Sequence, residues 1–229
     1  MFAEDAKAAI AAIERDGERV IAALDGADLE APVPGCPGWS LEVLVTHLGQ
    51  VQRFWAAAIR AGGAQPTERG EFSKPADLAG WYRASCTELV DALRETGFDR
   101  PCWTWWGEPA TVGAVARHQV QEAAVHRWDA ESASGPSAPL EPEVAADGVA
   151  EYLTIMLGRE ADNLPSAVEL AATDTGGSWR AGPGEVGATI RGTASDLVLL
   201  LYRRLPANTA DIDGDRALAG ALLTATDNN

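Results

Sequence analysis

The sequence predicts an α+β protein in which a bundle of four helices precedes a small domain of short strands and helices. The first observation is the period of the apolar residues, which recur every three or four positions in four long segments, as in amphipathic helices. The second is a change of pattern beyond residue 160, where short apolar runs bounded by Gly and Pro indicate a small antiparallel sheet. The four helical segments are residues 3–25, 40–61, 76–97 and 111–132.

Turn residues mark the breaks between the predicted helices. Residues 31–38 have the sequence APVPGCPG, which predicts a rigid turn, and Ser40 follows in a position to cap the second helix. Loops are predicted over residues 61–75 and 98–110. The second loop contains Trp103, Trp105 and Trp106, which could cover the core or line a pocket beside the fourth helix.

The second domain is predicted to follow a linker. The stretch ESASGPSAPLEP, beyond Asp129, has linker composition, and a further helix is expected from about 142 to 159. These elements give two domains, residues 1–160 and 161–229. The second is predicted to contain strands over 167–173, 177–182, 186–191 and 209–213, a helix over 192–205 and a last helix ending near 225.

Net charge and hydropathy restrict the partners of the chain. The formal net charge of −16 argues against binding to nucleic acid or an anionic membrane, because phosphate groups are bound by basic surfaces. No segment approaches the ~20 consecutive apolar residues of a membrane span, and the acidic N-terminus lacks the features of a signal peptide. We therefore expect a cytoplasmic protein with a small-molecule partner.

The cysteines indicate neither a disulfide framework nor a thiolate zinc site. The chain has three, Cys36, Cys86 and Cys102, an odd number without CxxC spacing. A metal bound by this chain would therefore be held by nitrogen and oxygen ligands.

Two predicted helices carry the chemistry that such a site needs. At about 100° per residue, His47 lies in the middle of the apolar face of the helix over 40–61. Glu122 and His126, four positions apart, share one stripe of the helix over 111–132, whereas His118 is displaced by about 60–80° from His126. The apolar residues that flank His47 on its helix are Val43, Leu44, Val51, Phe54 and Ala58.

Buried imidazole and carboxylate groups need partners, and a divalent cation bound by His47, Glu122 and His126 would supply one. Periodicity alone leaves other interpretations open. A Glu and a His four residues apart commonly form a solvated contact on a helix face, and an apolar stripe often contains a core histidine. Asp129, three residues after His126, is placed either to orient the imidazole or as an exposed acid at the helix end.

The order and spacing of two motifs resemble the mycothiol-dependent maleylpyruvate isomerase family, a branch of the DinB-like helical-bundle proteins. The motifs are VPGCPGWSLEVLVTHLG, residues 33–49, and HQVQEAAVHRWDAE, residues 118–131. In that family a Pro-Gly-Trp turn introduces the helix with a metal-binding histidine, which corresponds to His47. The later family motif corresponds to Glu122, His126, Arg127 and Asp129.

The resemblance extends to the second domain. This part of the chain is similar to the small α+β domain of the family in three features: a strand with Trp179, an aliphatic helix that ends in arginine, and Gly214 followed by Asp215. The family has a functional arginine near the end of that helix, which corresponds to Arg204 or Arg203. This arginine would bind a carboxylate, although an arginine there also complements a helix dipole.

The resemblance implies an enzyme that depends on a divalent metal, with zinc as the first choice and nickel, iron or manganese as alternatives. It implies mycothiol as the thiol cosubstrate and a small electrophile as the second partner, in a transferase or isomerase reaction. The same three ligands also suit a non-haem iron oxygenase or a metal-dependent hydrolase. A metal-stabilised binding module without catalytic activity is the third hypothesis.

Overall fold

The computed structural model of the chain describes residues 1–66 and 76–225 and forms two compact units, Met1–Ala138 and Pro139–Asn229. The division falls before the predicted boundary at residue 160. The helix that follows the linker packs on another helix of the second unit, so it belongs there rather than to the bundle. Most of the predicted loop over 61–75 lies outside the described residues.

The described residues of the first unit form four helices, as the sequence predicts. Each begins at a side chain that accepts a hydrogen bond from a backbone N–H of the first turn, which satisfies a group that the helix itself leaves unpaired. Ser40 is the cap of the second helix, as expected, and accepts from Val43 N at 3.4 Å. The helices are α1 (Ala6–Ala23), α2 (Leu41–Ala61), α3 (Leu78–Thr96) and α4 (Val112–Ser134).

Helix α4 is enclosed in the bundle, because α1 packs along it on one side and α2 on another. Most of its residues are buried, including polar ones such as Gln121 and Arg127, which lie away from the predicted ligand stripe. Polar groups enclosed in this way need partners within the protein. The partners on one side of α4 are ionic, and those on the other form the candidate site.

An ionic cluster holds α4 against α1. The fully buried guanidinium of Arg127 lies 3.6 Å from Asp16 of α1 and donates to Glu131 at 2.9 Å. It also donates to the carbonyl of Ala138 at 2.6 Å. Glu131 in turn accepts from Arg19 of α1, so the cluster fixes α4 relative to its neighbour.

Over its described residues, 139–225, the second unit contains α5 (Pro142–Glu151), α6 (Ala194–Leu201), α7 (Arg216–Leu223) and a four-stranded sheet in the order β2-β1-β3-β4. The predicted antiparallel sheet is wrong in one respect, because β1 and β3 pair in parallel. The chain makes a hairpin from β1 to β2 and then crosses to the other edge of β1, where β3 runs in the direction of β1. The strands are β1 (Ala167–Ala172), β2 (Ser178–Ala181), β3 (Val186–Gly192) and β4 (Asp211–Gly214).

Within residues 1–66 and 76–225, no helix combines the length and the apolar character needed to cross a membrane.

Candidate metal centre

The turn before α2 places Trp39 against the candidate ligands. Val33 N donates to Trp39 O at 3.0 Å, and Trp39 N donates to Cys36 O at 3.0 Å, which closes the turn. Gly38 adopts a φ of 85°, a conformation that glycine favours. The indole of Trp39 therefore lies 4.8 Å from the His47 ring and 6.4 Å from the His126 ring, measured between centroids.

The structure brings together the three predicted ligands. Nε2 of His47 lies 3.3 Å from Oε1 of Glu122, and Nε2 of His126 lies 3.6 Å from the same oxygen. The three potential ligand atoms are all within 4.8 Å of one another. Glu122 and His126 come from successive turns of α4, and His47 comes from α2.

The donor set and its burial fit a divalent cation. Two imidazole nitrogens and one carboxylate oxygen are typical ligands of zinc and of iron, nickel or manganese. The His126 side chain is only 11% exposed, whereas that of His47 is 36% exposed, so the cluster is accessible from the His47 side. A cation there could keep coordination positions for water or a substrate.

Mutual electrostatic interactions govern the ionisation of the cluster. Burial by itself raises the pKa of Glu122, but the charge of His126, the hydrogen bond from His47 and the charges of His118 and His47 outweigh it, and the pKa falls to about 2. Burial likewise lowers the pKa of His126, but Glu122, Asp129 and Cys36 outweigh that effect and raise the pKa to about 10. The pairing thus favours a carboxylate beside an imidazolium in the absence of metal.

Asp129 is fully buried, so the alternative interpretation of this residue as an exposed acid at the helix end is wrong. Its Oδ2 lies 2.8 Å from Nδ1 of His126, which directs the other ring nitrogen toward Glu122. The thiol of Cys36 donates to the same oxygen at 3.5 Å. The sequence analysis does not place Cys36 at the site, although its position in the CPGW turn, next to the residues that introduce α2, was an available signal.

His118 lies one turn before Glu122 and packs against tryptophan rings. Measured between ring centroids, His118 lies 5.1 Å from Trp106 and 6.0 Å from each of Trp55 and Trp105. His118 itself is 8% exposed. It lies outside both sets of potential metal ligands in the described residues, of which the second consists of Cys36, His126 and Asp129.

The apolar residues predicted beside His47 divide between the core and the surface. Leu44 is fully buried in a core cluster with Leu41 and Leu48. Val51 and Phe54 are half-buried, and Val43 is exposed. The side of His47 away from the core is therefore bordered by accessible apolar surface.

Arg203 and Arg204 belong to the second unit. Arg203 has a φ of 58° and donates from its guanidinium to the carbonyls of Leu223 and Thr224, at 3.3 and 3.2 Å. It thus satisfies carbonyls at the C-terminus of α7. Arg204 donates to the carbonyl of Tyr202 at 2.8 Å and lies 5.9 Å from the Tyr202 ring centroid.

The fold and the site define a class: a helical bundle with an interior His/Glu/His cluster, joined to a small α+β unit. Two family models match the chain. The mycothiol maleylpyruvate isomerase N-terminal domain matches residues 10–131, and the MDMPI C-terminal domain matches residues 143–221. The chain therefore belongs to the mycothiol-dependent maleylpyruvate isomerase family, as its motifs predicted, and it is an enzyme.

Solved structures of the same fold include a mycothiol-dependent maleylpyruvate isomerase and a histidine-to-alanine mutant of it. They are 14% and 12% identical to this chain, and each has a TM-score of 0.69. In both comparisons the match covers 86% of this chain and 88% of the other. None of the curated protein sequences compared with the chain matches it.

Proposed function

We propose that the protein is a metal-dependent enzyme that uses a low-molecular-weight thiol, mycothiol, to act on a small electrophile as an S-transferase or a cis–trans isomerase. The observation that carries this proposal is the convergence of His47, Glu122 and His126 to within 4.8 Å in the unit that matches the N-terminal family model. Zinc is the first choice of metal, with nickel, iron or manganese as alternatives.

His47, Glu122 and His126 would hold the metal. A divalent cation there would lower the pKa of a coordinated thiol, so that the thiolate forms near neutral pH. Asp129 holds a proton on Nδ1 of His126 and thereby leaves Nε2 as the atom that faces the site. Trp39 packs against both imidazoles and so restricts their orientation.

The protein's own cysteines are poor candidates for the nucleophile, which supports an external thiol. All three are buried. Burial, with the nearby charges of Glu14 and Glu18, raises the pKa of Cys86 to about 12, and burial raises the pKa of Cys102 to about 11. Cys36 donates its hydrogen bond to Asp129 instead.

In the proposed isomerisation, the thiolate sulfur forms a bond to one carbon of a conjugated double bond. The π-electron pair of the double bond moves toward the conjugated carbonyl group, whose oxygen then carries the negative charge of an enolate. Rotation about the resulting single bond is followed by return of the electron pair, which restores the double bond and expels the thiolate. A transferase would retain the carbon–sulfur bond and protonate the adduct or release a leaving group.

We propose that Arg204 or Arg203 binds a carboxylate of the substrate or the thiol, as the family resemblance implies. The guanidinium of Arg203 also donates to two carbonyls at the end of α7, and that of Arg204 to the carbonyl of Tyr202. We expect Arg204→Gln to raise KM for a carboxylate substrate, whereas Arg203→Gln lowers thermal stability with a smaller change in KM. The reverse pattern would assign the anion contact to Arg203.

Spectroscopy of the cobalt-substituted enzyme tests the proposal. Thiolate ligation adds an intense near-ultraviolet charge-transfer band, so mycothiol should produce this band, and glutathione and bacillithiol serve as comparison thiols. His118→Ala is the matched control on α4 and should retain the response. If millimolar thiols leave the spectrum unchanged while a water-dependent activity survives, the enzyme is a hydrolase.

The same ligand set keeps a non-haem iron oxygenase as the second candidate, because two histidines and a carboxylate also form the facial triad of that class. Aerobic turnover with Fe(II) and without any thiol would favour it.

A further inference from the structure

An aromatic cluster lies beside the candidate metal centre, and the proposed reaction does not use it. We define the indole cluster as Trp55, Trp105 and Trp106, which surround His118. Trp106 lies 5.5 Å from Trp55 and 5.3 Å from Trp105, between ring centroids. These separations, like those to His118, are typical of tilted and edge-to-face aromatic pairs.

The position of His118 on α4 connects the indole cluster to the centre. His118 precedes Glu122 by four residues, which corresponds to one turn and about 6 Å along the helix axis. Residues four apart lie on the same side of a helix. A molecule that reacts beside Glu122 would therefore extend along α4 by about this length to reach His118, against which the tryptophan rings pack.

The indole cluster is only partly covered by protein. The side chain of Trp105 is 50% exposed, although tryptophan usually buries most of its surface. Among the described residues, four large apolar side chains are exposed, and two of them lie near the helices that carry the ligands: Trp105 packs against His118, and Val43 precedes His47 by one turn. Exposed apolar surface next to a polar centre is typical of a ligand-binding surface.

We propose that the indole cluster binds the side group of the electrophile, and that this group is an uncharged aromatic ring. The proposal rests on the proposed function for the place of reaction. Indole rings offer faces and edges to another aromatic ring, and the three side chains of the indole cluster are themselves uncharged. Maleylpyruvate, named for the solved structures of the same fold, has no ring, so the substrate inferred here differs from it in carrying an aromatic side group.

Binding of two unreactive ketones to the full chain tests the proposal without metal or thiol. Ligand-observed NMR titration should show that acetophenone binds about fivefold to tenfold more tightly than butanone, the gain expected of one added aromatic pair. Trp105→Ala should remove this preference, and Trp105→Phe should keep most of it. Trp179→Ala, in β2 of the second unit, is the matched control and should bind as the parent does.

Equal binding of the two ketones by the parent, or an unchanged preference in a folded Trp105→Ala variant, would overturn the proposal. Circular dichroism establishes that each variant is folded, and Trp106→Phe replaces Trp105→Ala if the latter is not. For Trp106→Phe we expect a partial loss of the preference, and no loss would again overturn it.

Kinetics separate this inference from the proposed function. With mycothiol, phenyl vinyl ketone should have a lower KM than methyl vinyl ketone, and Trp105→Ala should raise the KM of the phenyl compound alone. Conjugation without a ring preference would reject the aromatic subsite and keep the thiol mechanism. Acetophenone binding without any thiol reaction would reject the thiol mechanism and keep the subsite.

Discussion

Glu122 is the centre of the charge distribution in the candidate site. All three histidines of the chain act on its carboxylate: His47 from α2, and His118 and His126 from the adjacent turns of α4. Two of them are placed to share a cation with it, while His118 is packed among tryptophans. Packing therefore decides which histidines can bind the metal and which one contacts aromatic rings. Substitution of each histidine in turn tests this assignment.

We predict that His47→Ala, Glu122→Ala and His126→Ala each reduce bound metal well below one per chain, because each removes one of three protein ligands. His118→Ala should retain metal, since it lies outside the ligand set. Inductively coupled plasma mass spectrometry measures the metal bound per chain in all four variants. Full occupancy in the His126 variant, or loss only in the His118 variant, would show that the ligands are different.

Asp129→Asn should weaken metal binding by about 10–100-fold without removing a ligand, because the amide no longer provides a charged acceptor for His126 Nδ1. A metal-competition titration measures the change in Kd. Cys36→Ser is the matched control, since its hydroxyl can donate to the same Asp129 oxygen, and its affinity should stay close to that of the parent. Equal affinities in the parent and the Asp129 variant would exclude a positioning role.

Cys86 should contribute to the pH dependence of stability. Burial, with Glu14 and Glu18, raises its pKa from 9.0 to about 12, so the folded chain keeps a proton that the unfolded chain loses. Its contribution is complete below pH 9 and is lost as the pH rises toward 12. We measure the free energy of unfolding in urea between pH 8 and 11 and expect it to fall less steeply with rising pH in Cys86→Ser than in the parent. An identical slope in the two proteins would contradict the raised pKa of Cys86.

At the scale of the elements, α4 determines where the site can lie. It is buried on several faces, with the Arg127 ionic cluster toward α1 and the His/Glu cluster toward α2. The position of α2 depends in turn on its packing against α3. Close contacts between α2 and α3 should therefore be sensitive to added volume.

Gly49→Ala should destabilise the bundle by about 1–3 kcal/mol, because a methyl group on this residue of α2 would overlap the Trp81 ring of α3. Gly220→Ala is the matched control, a helical glycine of α7 with no atom within 4 Å of the added carbon, and it should be neutral or slightly stabilising. Chemical denaturation measures both. An unchanged free energy of unfolding in Gly49→Ala would mean that α2 and α3 can move apart with little loss of stability.

At the scale of the whole molecule, each unit has its own core. The core of the first comes from apolar residues of its helices, such as Leu41, Leu44 and Tyr82, together with the ionic cluster between α1 and α4. In the second, α6 is almost entirely buried. The three candidate ligands lie outside the apolar cluster that contains Leu41, Leu44 and Tyr82, which bears on the expected effect of metal removal on the fold.

Chelation should abolish activity and leave the fold intact. The cores do not depend on the three ligands, so the helical circular dichroism signal should persist in EDTA, with a lower Tm because the metal binds only the native state. Readdition of zinc should restore both activity and Tm. Loss of the helical signal at 25 °C would instead identify a structural metal, as in the binding-module hypothesis.

The sequence by itself determined the four helices, the Ser40 cap and the stripe that joins Glu122 to His126, because these follow from backbone geometry and local periodicity. The family resemblance implied that His47 meets Glu122, across 75 residues, although local periodicity could not show it, and only the tertiary structure brought Cys36 to Asp129 across 93. It also decided the burial of His118 among tryptophans, the parallel pairing of β1 with β3, and the contact of Arg203 with the end of α7. Such contacts depend on how elements far apart in the chain pack together, and a local pattern contains no information about the face that a distant element presents.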